Sequence, residues 1–286
     1  MFSNLSAGAI GVGGTLEELL GYAKAGGFGG LDLNISQARQ KADEGKLDEV
    51  RAAYEGAGLK MGGWGLPVDF RGEEEKFQEG LADLPALAAV GQDLGCTRVP
   101  TWILPFHEEL SFEENYALHQ RRLRACAEVL ADHGCALGLE FVGPKTMRQG
   151  KQHQFIHDMP GMLALCDDIG TGNVGLLLDC WHWYTSHGTL DQITALQPEQ
   201  VVYVHVNDAP EGVPVDEQID NVRTLPGETG VIDIKGFLCA LEQIGYDGPV
   251  TPEPFSQKLR EMAPEQAVRA TGESMRRIFE LAGITP

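Results

Sequence analysis

The strongest constraint in this chain is an alternation. Eight short apolar runs, each closing in polar or Gly-rich residues, are separated by segments of helical period. The runs read as strands over roughly 5–12, 30–36, 60–66, 97–103, 136–142, 174–181, 201–207 and 249–254. Helical patterns intervene, among them 15–25, 46–55, 112–133, 234–244 and 264–281. Strands that alternate with helices build βαβ units and a parallel sheet, because a parallel neighbour needs a long crossover. Eight such units in 286 residues, with no linker or low-complexity tract, predict one α/β domain over 1–286, a closed (β/α)8 TIM barrel. The competing architecture is an open doubly wound sheet. It is favoured by a GxGxxG after the first strand, and GVGGT at Gly11 has the wrong spacing.

Charge narrows the partners. Asp plus Glu number 42 against 22 Lys plus Arg, a formal net charge of −20. Such a surface repels nucleic acid and anionic membranes, which bind through Lys and Arg. The expected partner is a small molecule, with a homo-oligomer possible. The six cysteines form no CxxC pair and lie mostly in apolar runs, which predicts a reduced cytoplasmic protein without a disulfide frame or a Cys-based zinc site. MFSNLSAGAIGVGG has no basic n-region and no long apolar h-region, so it does not read as a signal peptide, and no apolar run is long enough for a membrane span.

In a barrel, the active site sits at the carboxyl ends of the strands. Strand five reads ALGLE and ends in Glu140; strand six reads GLLLD and ends in Asp179. Strand seven reads VVYVH and places His205 before VND; strand eight reads PVTPE and ends in Glu253. The two-residue strand period puts Gly138 with Glu140, Leu177 with Asp179, Tyr203 with His205 and Thr251 with Glu253. If those faces point inward, three carboxylates and an imidazole meet at the mouth. Unpaired, such a cluster costs several kcal/mol. One divalent cation resolves the conflict, and mixed oxygen and nitrogen ligands without thiolate suit Mn2+, Mg2+, Co2+ or Zn2+.

VHVNDAP, RTLPGETGVID and YDGPVTPEPF resemble the sugar isomerase/epimerase family of xylose isomerase-like TIM barrels, which includes ketose 3-epimerases, hydroxypyruvate isomerases and inosose dehydratases. The resemblance covers most of the chain and is sharpest over 137–255. It implies metal ligation by Glu140, Asp179, His205 and Glu253, and substrate binding by His182 and Arg223. One departure is visible: the family often reads LPGEG where this chain reads LPGETG, with Thr229 added. His182 lies an odd step from Asp179, so the chain must bend after Cys180 for both to face the site.

Other candidates are weaker. Trp64, Trp102, Trp181 and Trp183 lie near strand ends, and Trp64 is the best placed to wall a sugar site. Lys145 stands in the loop after strand five, where it could meet an anionic or carbonyl group of a substrate, although a solvated surface lysine is the stronger reading. Asn207 and Asp208 are candidates to orient His205.

The chemistry expected is proton transfer next to a carbonyl on a small sugar or polyol-derived ketone. One of Glu140 and Glu253 takes the α-proton, an enediolate forms, and the other returns a proton. Epimerisation, aldose–ketose isomerisation and an inosose-type dehydration all branch from that intermediate. An AP-endonuclease-like DNA repair enzyme on the same barrel would need His ligands after strands two and three, where LDLNIS and GGWGLP offer none. A non-catalytic sugar-binding barrel would be expected to lack a ligand or a base, and all four residues are present.

Overall fold

The computed structural model describes residues 1–285. Apart from a small antiparallel pair, Phe106–His107 with His153–Gln154, its strands are β1 (Phe2–Leu5), β2 (Gly30–Leu31), β3 (Lys60–Met61), β4 (Arg98–Ile103), β5 (Ala136–Phe141), β6 (Val174–Asp179), β7 (Val201–Val206) and β8 (Pro249–Pro252). All are parallel in one sheet, and each except β3 pairs with its successor in the chain, β8 returning to β1 through Phe2↔Pro249 and Ser3↔Val250. The remaining seam, between β3 and β4, is closed by the chain just past Met61: the Trp64 N–H donates to the Arg98 carbonyl and the Leu66 N–H to that of Pro100. The ring is therefore complete, a TIM barrel, and strand-like bonding runs to residue 66 as the sequence predicts.

Helical segments follow each strand and cover the outside, the longest being Glu74–Leu94, Phe112–Asp132 and Pro264–Ala282. Leu139, Leu176, Leu178, Val204 and Val206 are fully buried between sheet and helices. Capping boxes at Thr15 and Ser111 start the helices Leu16–Gly26 and Phe112–Asp132 where the apolar period begins.

The expected boundaries move in three places. The first strand is Phe2–Leu5, not 5–12. Ala7–Ile10 forms a 3-10 turn instead, because its buried residues, Ala7 and Ile10, recur three apart, and Gly11 ends it at φ 75°. The second strand stops at Leu31, because Asn34 accepts from the Gln37 N–H and starts the helix Ile35–Asp43. The sixth strand stops at Asp179, which caps the helical turn Cys180–Thr185. In β7, the register against β6 shifts so that Leu176 faces Val201 and Leu177 faces Tyr203, leaving Val202 as a bulge. Tyr203 and His205 lie beyond that bulge, toward the mouth.

Candidate metal centre

Glu140, Asp179, His205 and Glu253 meet at the carboxyl-terminal mouth, each offering a ligand atom within 4.8 Å of every other. Sheet register brings them together: Asp179 pairs with His205 across β6 and β7, and His205 with Thr251, two residues before Glu253, across β7 and β8. His205 Nδ1 lies 3.2 Å from Glu140 Oε1 and 3.5 Å from Glu253 Oε2. Donors about 2.0–2.3 Å from one ion stand at most ~4.6 Å apart, so donors within 4.8 Å of one another need close in by only a few tenths of an ångström to share a single divalent cation. Three carboxylates and one imidazole, without thiolate, fit such an ion chemically as well.

On the protein's own groups alone, the cluster is strained electrostatically. Burial pushes Glu140 up to about 8, with Glu253 and Asp179 adding to the effect and His205 opposing it. Burial raises Glu253 too, against the pull of His205 and Arg223. Burial works to lower His205, yet Glu253 and Glu140 outweigh it and carry the imidazole up to about 10. A ligating histidine must be neutral, so a cation at this point would replace that proton.

Arg223 enters the cluster directly. Its Nη1 donates to Asp179 Oδ2 at 2.8 Å and to Glu253 Oε2 at 3.0 Å, and its Nη2 to Asp220 Oδ1 at 2.8 Å. The guanidinium lies over the rings of Trp181, at 5.2 Å, and Phe255, at 4.5 Å. Phe255 holds the unusual φ of 40° to stand there. The family resemblance implies a substrate role for Arg223. The structure adds that it braces two of the four candidate ligands, and Asp220, which sequence reasoning missed, fixes it from the other side.

The bend expected after Cys180 is present. Asp179 Oδ1 accepts from the Trp181 N–H at 2.6 Å, the helical turn begins, and His182 returns to the site with Nε2 4.0 Å from Asp179 Oδ2 and 3.9 Å from Asp220 Oδ1. The Gly143 N–H donates to His182 Nδ1 at 3.2 Å. That bond assigns the proton of the neutral ring to Nε2, so the 3.3 Å approach of Arg223 Nη2 to Nε2 is a contact between two donors, not a hydrogen bond. Burial holds His182 down to about 4, against the opposing charge of Asp179.

Neither Asn207 nor Asp208 orients His205. Asn207 Nδ2 donates to Asp179 Oδ1 at 3.2 Å and to the Glu253 carbonyl at 3.3 Å, so it ties β7 to the other ligands. Asp208 instead organises the following loop, accepting from the N–H groups of Ala209, Thr229, Gly230 and Ile232. The added Thr229 is part of that arrangement, its hydroxyl donating to the Ala209 carbonyl at 2.6 Å.

One expectation fails. Trp64 does not wall the site: its fully buried indole N–H donates to the Cys96 carbonyl at 2.9 Å, and it packs against Gly91 of the Glu74–Leu94 helix, where a Cβ would stand 2.9 Å from the indole nitrogen. Backbone pairing with β4 turns this residue outward. Lys145, the other candidate for substrate, is half exposed and paired with Asp216 at 2.8 Å, which matches the solvated reading rather than a substrate contact. Trp183 is core, packed on Phe237. Inside the barrel, sequence reasoning also missed a polar net: Asn4 Nδ2 donates to Asp32 Oδ1, the Tyr203 hydroxyl and the Thr251 hydroxyl at 2.8–3.0 Å, and Tyr203 donates to Asp32 at 2.7 Å.

Fold and site together define a parallel barrel with a cluster of oxygen and nitrogen donors, able to hold a metal ion, at its carboxyl-terminal mouth. The chain belongs to the xylose isomerase-like TIM barrel family, whose model matches residues 20–278. It is 20% identical over 261 residues to an inosose isomerase of Halalkalibacterium halodurans, covering 91% of this chain and 89% of that one. It is 27% identical over 269 residues to a 3-dehydroshikimate dehydratase of Pseudomonas aeruginosa, covering 93% of this chain but only 40% of the longer relative. A xylose isomerase domain protein from Alicyclobacillus acidocaldarius superposes with a TM-score of 0.86 at 28% identity, covering 98% of both chains.

Proposed function

We propose that this protein is a divalent-metal-dependent isomerase or epimerase that moves a proton next to the carbonyl of a small polyhydroxy ketone. The observation that carries the proposal is the placement of Glu140 and Glu253 on either flank of His205 within one four-residue cluster. Glu140, Asp179, His205 and Glu253 would hold the ion, which would supply Lewis-acid polarisation of the carbonyl. Each glutamate has two carboxylate oxygens, so one can hold the ion while the other takes or returns the proton, by way of an enediolate in the substrate. His182 offers its Nε2–H to a substrate oxygen. Trp181 and Phe255 fix Arg223, which in turn sets the angle of the Asp179 and Glu253 carboxylates.

A second outcome, loss of a β-hydroxyl from the same enediolate, is supported by the likeness to the 3-dehydroshikimate dehydratase, which extends over 93% of this chain. Metal analysis, followed by a screen of ketoses, inososes and 3-dehydroshikimate in D2O, tests both. The expected result is about one divalent ion per chain and deuterium at the carbon beside the carbonyl of the true substrate. A chain that takes up no divalent ion contradicts the proposal.

A further inference from the structure

Arg71 is not absorbed by the site described so far. It lies in the segment between β3 and the Glu74–Leu94 helix, next to the fully buried Phe70. Its guanidinium is clamped between two rings, with Cζ 4.2 Å from the centroid of Phe70 and 4.2 Å from that of Trp102. Trp102 is the direct strand partner of Glu140, so the two side chains leave adjacent strands on the same face. Trp102 remains 44% exposed at the rim, an unusual state for so large an apolar group beside a buried acidic cluster.

The hydrogen-bonding groups of Arg71 are poorly used. Among the described residues no carboxylate lies within ion-pair distance of it, whereas Arg98, Arg122 and Arg223 each have one. Its Nε is buried without a partner, and Nη2 reaches only the Thr101 hydroxyl, at a long 3.4 Å. The nearby Asp69 accepts from the Gly72 N–H instead. With both faces of the guanidinium covered by rings, what remains available is its edge, the fork of N–H donors that matches a carboxylate or phosphate. Burial also pulls Arg71 down to about 10, with Asp69 and Glu140 opposing, which leaves it charged at neutral pH.

We propose that Arg71, held between Phe70 and Trp102 at the rim beside Glu140, binds an anionic oxygen group, a carboxylate or a phosphate, carried by the substrate. The inference rests on the proposed function for the identity of the reacting end and adds the chemistry of the other end. Charge-assisted bonds to a partly desolvated arginine are worth about tenfold to a hundredfold in affinity. The substrate class is thus an anionic polyhydroxy ketone rather than a neutral sugar.

The test uses three ketoses with one skeleton: D-fructuronate, D-fructose 6-phosphate and D-fructose. They differ only at C6, which carries a carboxylate, a phosphate or a neutral hydroxymethyl group. Binding to the metal-loaded full chain is read by titration calorimetry, and deuterium uptake from D2O is read separately. At least one anionic probe should bind about tenfold or more tightly than D-fructose, and which one does so separates carboxylate from phosphate. Arg71→Ala should reduce that preference to within about twofold. Arg71→Met, which keeps the stem between the rings, should do the same if the alanine variant folds poorly. No anionic preference in the wild type, or a preference that survives in Arg71→Met, overturns the inference. An intact preference with no deuterium uptake by any bound ketose contradicts the proposed function and leaves the anion site standing.

Discussion

Arg223 is the residue whose surroundings carry the most information. A fully buried guanidinium bonded to Asp179, Glu253 and Asp220 is not a free hand for substrate. Removing one partner of a buried charge pair leaves the other uncompensated, which typically costs several kcal/mol. Arg223→Ala should therefore lower stability and kcat/KM, and, because Arg223 also sets the positions of Asp179 and Glu253, metal retention should fall as well, which dialysis followed by metal analysis checks. Metal content equal to wild type would return Arg223 to a substrate-only role. His182 makes a separate prediction. Its neutral form is favoured in the fold, at about 4 against an ordinary 6.5, so between those values the unfolded chain binds more protons. Stability contributed by His182 is present above pH 6.5 and is lost as pH falls toward 4, by on the order of 3 kcal/mol. In metal-stripped protein, His182→Asn should flatten the fall of Tm over that window. An unchanged slope would mean that other groups carry the acid sensitivity.

Among the elements, the strand ends decide the function, and they were unequally legible. Glu140, Asp179, His205 and Glu253 could be read because each closes an apolar run, and the two-residue period then fixes which way it faces. His182 needed the Asp179 cap, which converts an odd strand step into a helical return. Trp64 misled because its run stays bonded to β4 and turns the indole outward. Arg71 and Asp220 left no periodic signal, since both lie in segments placed by tertiary contacts alone. The Asp208 loop was legible as a motif but not as a mechanism. Four N–H groups depend on that one carboxylate. Asp208→Ala should destabilise the chain by roughly 1–3 kcal/mol, and should speed amide exchange at Thr229, Gly230 and Ile232 while the barrel strands stay protected. Unchanged exchange at those amides would mean that the loop is held by something else.

At the scale of the molecule, the fold was readable because eight repeated units leave few closed solutions, whereas boundaries drifted wherever a cap or a turn cut a strand short. No helix among the described residues is long and apolar enough to cross a membrane. A site that draws three carboxylates together, two buried and one partly so, would make metal binding a stability term of the whole chain. An ion at a hundred times its Kd adds about 2.7 kcal/mol, which for a chain of this size raises Tm by roughly 4–5 °C. Stripping with EDTA should lower Tm by that order, and Mn2+ or Zn2+ should restore it. A Tm that ignores chelator would count against a built site.

The most direct test of proton transfer by the glutamate pair is deuterium entry from D2O at the carbon beside the carbonyl, compared among wild type, Glu140→Gln and Glu253→Gln with metal bound. Glutamine keeps the size of the side chain and an oxygen but does not accept a proton at neutral pH. Positioned acid–base groups supply about 10²–10⁴-fold in rate. The wild type should exchange, and each variant should be slower by at least about a hundredfold. Exchange at the wild-type rate in either variant would mean that the proton is moved by another residue.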